Sequence, residues 1–161
     1  MHIELTPRPS REKYFIRMAK LVATRSTCLR RSVGCVLVNA RGHVLATGYN
    51  GVAAGVPHCN EYDPFGEVGY PLACEGAFAT SGTNLDACQA IHAEQNALLQ
   101  CHDVFAIDTC YCTASPCLTC VKLLRGTSCR RIIFVEEYPH TKAREMWESA
   151  GHEWAQFHLG E

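Results

Sequence analysis

The stretch IHAEQNALLQCHDVFAIDTCYCTASPCLTCVKLLRGTSCRRIIFV, residues 91–135, changes its apolar pattern repeatedly and decides the fold. Residues 91–99 carry Ala93, Ala97, Leu98 and Leu99 and read as a helix. Residues 109–114 read as a short strand. Residues 116–124 read as a second helix, ended by Gly126, and residues 132–135 as a buried strand. Strands alternating with helices predict an α/β sheet with helices on its faces.

The pattern extends in both directions. Ser10 can cap a helix whose stripe is Tyr14, Phe15, Met18, Ala19, Leu21 and Val22. Residues 25–32 form a polar, partly basic connector. The apolar runs 34–38 and 44–47 flank a turn at Arg41 and Gly42 and read as a β-hairpin. Residues 141–150 form a helix stopped by Gly151, and residues 152–157 a last strand. Between hairpin and helix lies an unusual stretch, residues 50–90, rich in Gly, Pro, Asn and Asp. Irregular segments this long are uncommon unless functional or pinned. No repeat or linker interrupts residues 1–161, so one domain is expected.

Hydrophobic residues make up 47% and charged residues 19%, an ordinary globular balance. The net charge of −1 lacks the basic excess that gripping a nucleic-acid backbone usually requires. Residues 1–11 contain no apolar core of a signal peptide, and no apolar run approaches a membrane span. Eleven cysteines cannot all pair within one chain. The expected setting is therefore reducing and cytoplasmic, where clustered cysteines serve as metal ligands or buried thiols.

His92 and Glu94, in H-A-E, and Cys117 and Cys120, in P-C-x-x-C, carry the chemistry. His92, Cys117 and Cys120 supply three zinc ligands and leave a fourth position for water, whose pKa the metal lowers to about 7. Cys117 and Cys120 lie three apart at a helix start, on one face, where the helix N-terminus favours thiolate. Pro116 suits the beginning of that helix. Glu94, two residues after His92, points elsewhere than the ligand face and can carry a proton to and from the water. H-x-E followed by P-C-x-x-C is the signature of zinc deaminases.

The chain also resembles the deoxycytidylate (dCMP) deaminase family of the cytidine deaminase superfamily, especially its bacterial and phage members. The likeness rests on R-S-T-C-L-R-R at 25–31, Val33 and Gly34, G-Y-N-G at 48–51, His58 and Cys59, I-H-A-E-Q-N-A-L at 91–98 and S-P-C-L-T-C at 115–120. The resemblance implies a three-layer α/β/α fold around a central mixed five-stranded sheet. It implies hydrolysis of dCMP to dUMP and ammonia, feeding thymidylate synthesis. His92, Cys117 and Cys120 would then hold the catalytic zinc, with Glu94 as proton shuttle. Asn50 would bond the deoxynucleotide, the Ala93 N–H and Ser115 carbonyl would hold the pyrimidine edge, and Tyr138 would line the pocket. Arg25 and Ser26 are candidates for the 5′-phosphate; on chemistry alone Arg30 and Arg31 are equally good.

The same resemblance implies a homo-oligomer, commonly a hexamer, activated by dCTP and inhibited by dTTP with Mg2+. The effector would sit around Gly48, Tyr49, Asn50 and Gly51. A second, structural zinc is also implied. Cys28 and Cys59 match its ligands, and Cys74 and Cys88 complete the set by inference, with His58 the rival for one place. Such an ion would staple the irregular stretch. Cys35, Cys110 and Cys112 lie in strand-like runs and are expected as core thiols. Two other readings compete. One is a deaminase acting on a base within nucleic acid, which predicts a basic surface with stacking aromatics. The other is a structural zinc module, which has no use for Glu94.

Overall fold

The computed structural model describes residues 7–62, 74–80, 83, 87–139 and 141–160. Ser10 opens it as expected: its side chain accepts the Lys13 N–H at 3.2 Å, and α1 (Arg11–Ala23) follows. The hairpin comprises β1 (Gly34–Asn39) and β2 (Val44–Tyr49), turning through Gly42 at φ +82°. After the irregular stretch come α2 (Ala93–Gln100), β3 (Ile107–Ala114), α3 (Leu118–Arg125), β4 (Arg131–Glu136), α4 (Thr141–Glu148) and β5 (Glu153–Gln156).

The five strands form one mixed sheet in the order β2-β1-β3-β4-β5. β1 pairs antiparallel with β2 and β3, while β3, β4 and β5 run parallel. Parallel neighbours need crossovers, and α3 and α4 provide them. Alternation along the strands sorts the core. Cys35, Leu37, Cys110, Cys112, Ile132 and Phe134 pack with residues of α2, α3 and α4. Val36, Val38, Tyr111 and Ile133 pack with Phe15, Ile16 and Ala19 of α1. The result is the expected α/β/α layering, with β1 and β3 buried on both faces.

Two helix starts differ from the sequence expectation. α2 begins at Ala93 because His92 has the extended backbone of a cap, at φ −66° and ψ 155°. α3 begins at Leu118 because Cys117 does the same, at φ −72° and ψ 170°. Pro116 therefore precedes the cap instead of opening the helix. In the irregular stretch, Cys59, Cys74 and Ala77 form a small buried cluster beside a 3₁₀ turn at Glu75–Phe78. Within that stretch residues 63–73, 81–82 and 84–86 lie outside the described residues, as do residues 1–6, where no signal-peptide core was expected. Among the described residues no helix is long and apolar enough to cross a membrane.

Candidate metal centre and pocket

Four contacts fix the start of α2. A Cβ on Gly48 would collide with the backbone of Ala93 and Ala97, so only glycine lets α2 lie this close on β2. The Asn96 amide donates to the Tyr49 carbonyl at 2.8 Å. Gly51 and Ile91 exchange two backbone hydrogen bonds, at 3.1 and 2.9 Å. The Gln95 side chain accepts the His92 N–H at 2.9 Å, which holds the cap. His92 thus sits at the cap and Glu94 at the second helical position.

The facing wall comes from the end of β3. Ser115 N–H donates to the Glu136 carbonyl at 2.8 Å, and its hydroxyl accepts the Tyr138 N–H at 2.6 Å. Cys117 caps α3, and Cys120 follows one turn on. Both sulfurs lie 3.4 Å from His92 Nδ1, and all three donor atoms are within 4.8 Å of one another. Two thiols and an imidazole nitrogen converge there, Cys120 buried and Cys117 and His92 half-buried, and fit a zinc ion with one position left open.

Without a cation these groups share protons. Cys117 is pulled down to about 4, first by its hydrogen bond with Cys120, with His92 assisting. Cys120 is pushed up, first by that same bond and then by burial. His92 is raised, chiefly by its hydrogen bond to Cys117. Glu94 is only 4% exposed and accepts from the Cys120 thiol at 3.4 Å. Burial above all, with the Cys110 charge next, pushes its carboxyl up to about 7. A buried carboxyl whose pKa is raised by burial, next to an open metal position, can both take and give a proton.

A cavity of about 150 Å³ opens onto this group. Ala93, Ser115, Tyr138 and Asn50 line it. Asn50 is already engaged: its Oδ1 accepts the Val33 N–H at 2.8 Å, and its Nδ2 donates to the Arg31 carbonyl at 2.6 Å. It clamps the 31–33 backbone while lining the cavity. Of the four arginine and serine candidates for an anion, Arg30 and Arg31 line the cavity. Arg25 is exposed and is not part of the wall, and the Ser26 hydroxyl donates to the Asn50 carbonyl at 2.9 Å. Arg30 Nη2 is held by the carbonyls of Thr80 and Thr83, while its buried Nη1 has no partner among the described residues. Arg31 pairs with Glu136 at 3.1 Å and lies 5.2 Å from the centre of the Tyr138 ring. Gly48, Asn50 and Gly51 are buried, leaving Tyr49 half-exposed. Gly48, Gln95 and Asn96 had structural roles that the sequence reading did not assign. The short G-Y-N-G run and an Asn one turn after His92 were the available signals.

The sequence profile of the cytidine and deoxycytidylate deaminase zinc-binding region matches residues 9–136. The fold and the three-donor site together define a zinc-binding deaminase domain, and the chain belongs to that cytidine and deoxycytidylate deaminase family. It is 41% identical over 133 residues to the deoxycytidylate deaminase of Schizosaccharomyces pombe; the match covers 81% of this chain and 38% of that protein. It is 35% identical over 134 residues to the deoxycytidylate deaminase of Mycobacterium phage D29, covering 81% of this chain and 98% of that one. It is similar to the dCMP deaminase of cyanophage S-TIM5, solved in complex with dCMP and dUMP. There the TM-score is 0.70 at 26% identity, over 94% of this chain and 100% of that one. The chain thus spans under two-fifths of the fission-yeast relative's length.

Proposed function

We propose that this chain hydrolyses dCMP to dUMP and ammonia. The observation that carries the reading is Glu94: a buried carboxyl that accepts from the Cys120 thiol and lines a cavity, beside three converging zinc donors. A purely structural zinc module has no use for it. His92, Cys117 and Cys120 would hold the zinc, which supplies an activated water at neutral pH. Glu94 accepts a proton from the attacking water, passes it to ring N3, and then helps the amino group leave as ammonia. The Ala93 N–H and the Ser115 carbonyl hold the pyrimidine edge, and Tyr138 closes the wall.

The anion end supports a nucleotide over a nucleoside. Arg30, whose buried Nη1 has no partner among the described residues, and Arg31 line the cavity, and we assign the 5′-phosphate to them in preference to Arg25 and Ser26. Formal charge is near neutral, which favours a small anionic substrate over a nucleic acid.

The proposal extends to a second zinc on Cys28, Cys59, Cys74 and Cys88. Burial pushes Cys59 up to about 12, and the neighbouring charges of Cys74, Cys28 and Cys88 add to it. Cys88 is raised by burial and by Cys28 and Cys74. A divalent cation would offset what raises Cys59 and Cys88. Among the described residues the four sulfurs do not all converge within 4.8 Å, so the ligand set rests on the family resemblance. Cys28 and Cys88 also line the cavity, so the ion would brace its wall. His58, the rival, is exposed, and its Nδ1 lies 3.3 Å from the Thr27 hydroxyl. The family resemblance supports regulation of a homo-hexamer by dCTP and by dTTP with Mg2+, with Tyr49 the accessible residue of the G-Y-N-G segment. Eleven unpaired cysteines favour the cytoplasm.

Ammonia release from dCMP, dCTP, deoxycytidine and a cytosine oligonucleotide, with and without dTTP, tests the reading. Preference for dCMP, with Arg30→Ala raising KM for dCMP but not for deoxycytidine, is expected. Activity on the oligonucleotide alone would overturn it.

A further inference from the structure

Beneath α2 and α3, on the sheet itself, lies a further thiol cluster that shares no residue with either zinc set, although Cys110 and Cys35 are close enough to Glu94 to interact with it electrostatically. Cys35 comes from β1, and Cys110 and Cys112 from β3. All three are fully buried. Residues two apart on a strand have Cα atoms roughly 6.5 Å from one another. Yet the Cys110 and Cys112 sulfurs are 3.3 Å apart, so the two side chains turn towards each other. Cys35, the cross-strand partner of Cys112, brings its sulfur to 3.5 Å from Cys110. All three sulfurs fit within 4.8 Å of one another. Inward positions beside them on the same sheet face, Leu37, Ile132 and Phe134, carry large side chains. Small apolar packing alone does not require three sulfurs to converge on one point.

The donor set selects the ligand. It offers sulfur only, in a dry interior. Zinc favours four ligands, and no fourth protein donor joins this group among the described residues. Soft monovalent copper accepts thiolates readily. We propose that Cys35, Cys110 and Cys112 form a sheet-core site for one soft closed-shell cation, Cu(I). Binding forms Cu–S bonds and releases one proton to solvent for each thiol that becomes a thiolate; no electron is transferred. Hydrogen bonds from Cys112 and then Cys35 pull Cys110 down to about 5, while the same contacts push the Cys35 and Cys112 thiols well up, so the metal must draw the protons from those two.

The test uses the zinc-loaded full chain under anaerobic conditions. Cu(I) is offered with a competing chelator, both to the folded protein and during expression. Native mass spectrometry reads metal content, and copper X-ray absorption reads the coordination shell. One Cu(I) held alongside undiminished zinc, with a shell of three sulfurs, is the expected result. Cys110→Ala and, separately, Cys35→Ala should weaken retention by more than the roughly 10–100-fold that loss of an outer-shell partner costs. Cys101→Ser, a half-exposed thiol outside the cluster, should change nothing. No copper retained by either route, copper bound only as zinc leaves, or a shell containing nitrogen would overturn the proposal. So would uptake unchanged in both alanine variants. The wild-type shell decides the matter even if a variant fails to fold.

Discussion

Replacing Glu94 by Gln removes a buried charge while keeping the shape of the side chain. In the metal-free protein, burial lifts this carboxyl from 4.5 to about 7. That difference corresponds to about 3 kcal/mol at 1.36 kcal/mol per pKa unit. The folded value lies above the unfolded one. Glu94's contribution is therefore fully favourable below about pH 4.5 and is lost as pH rises through about 7. Gln is neutral throughout. Glu94→Gln and the wild type, both treated with chelator, should be equally stable near pH 4 and should separate as pH rises from about 4.5 to about 7. By about pH 8 the variant should lead by about 3 kcal/mol, or roughly 6–12 °C in Tm for a chain of this size. Restoring zinc should shrink the gap, because a cation beside the carboxylate favours its charged form. Zinc-loaded Glu94→Gln should retain the metal yet lose about 10²–10⁴-fold in turnover. Thermal melts across pH, read beside zinc content, measure all of this. A stability difference independent of pH, or a variant less stable than wild type at pH 8, would refute the reasoning.

Two further substitutions probe how the site is held. Gly48→Ala forces a Cβ against the Ala93 and Ala97 backbone and should cost about 1–3 kcal/mol. Because α2 carries His92 and Glu94, zinc content and turnover should fall with it, as metal analysis and ammonia release will show. Asn50→Ala leaves the Val33 N–H without its acceptor and should cost about 1–3 kcal/mol by denaturant melt. KM for dCMP should rise more than kcat falls, since the backbone carrying Arg30 and Arg31 loses its clamp; Asn50→Asp should recover part of the stability through the Val33 bond.

What the sequence revealed depended on the range of the interaction. The Ser10 cap, the turn at Gly42 and the spacing of Cys117 and Cys120 are local, and each could be read from a few neighbouring residues. His92 and Glu94 were recognisable because their spacing states a division of labour between ligand and proton carrier. The placement of β1 between β2 and β3 was not legible, because pairing over seventy residues leaves no local trace. Nor was the contact of Gly48 with α2, since a glycine's close neighbour is invisible until the chain has folded. Arg25 and Arg30 look alike as sequence; only the cavity wall separates them. Cys35, Cys110 and Cys112 were expected as core thiols, and they are buried in the core. Their convergence depends on side-chain direction across two strands, which periodicity cannot express.

Ammonia release from dCMP by the zinc-loaded chain, by the same preparation after chelation, and by that preparation with zinc restored tests the central claim most directly. The account predicts release with dUMP formed one for one, loss on chelation, and recovery with zinc, while zinc-loaded Glu94→Gln stays nearly silent. Full turnover by the chelated protein or by Glu94→Gln, or none from the zinc-loaded wild type, would contradict it.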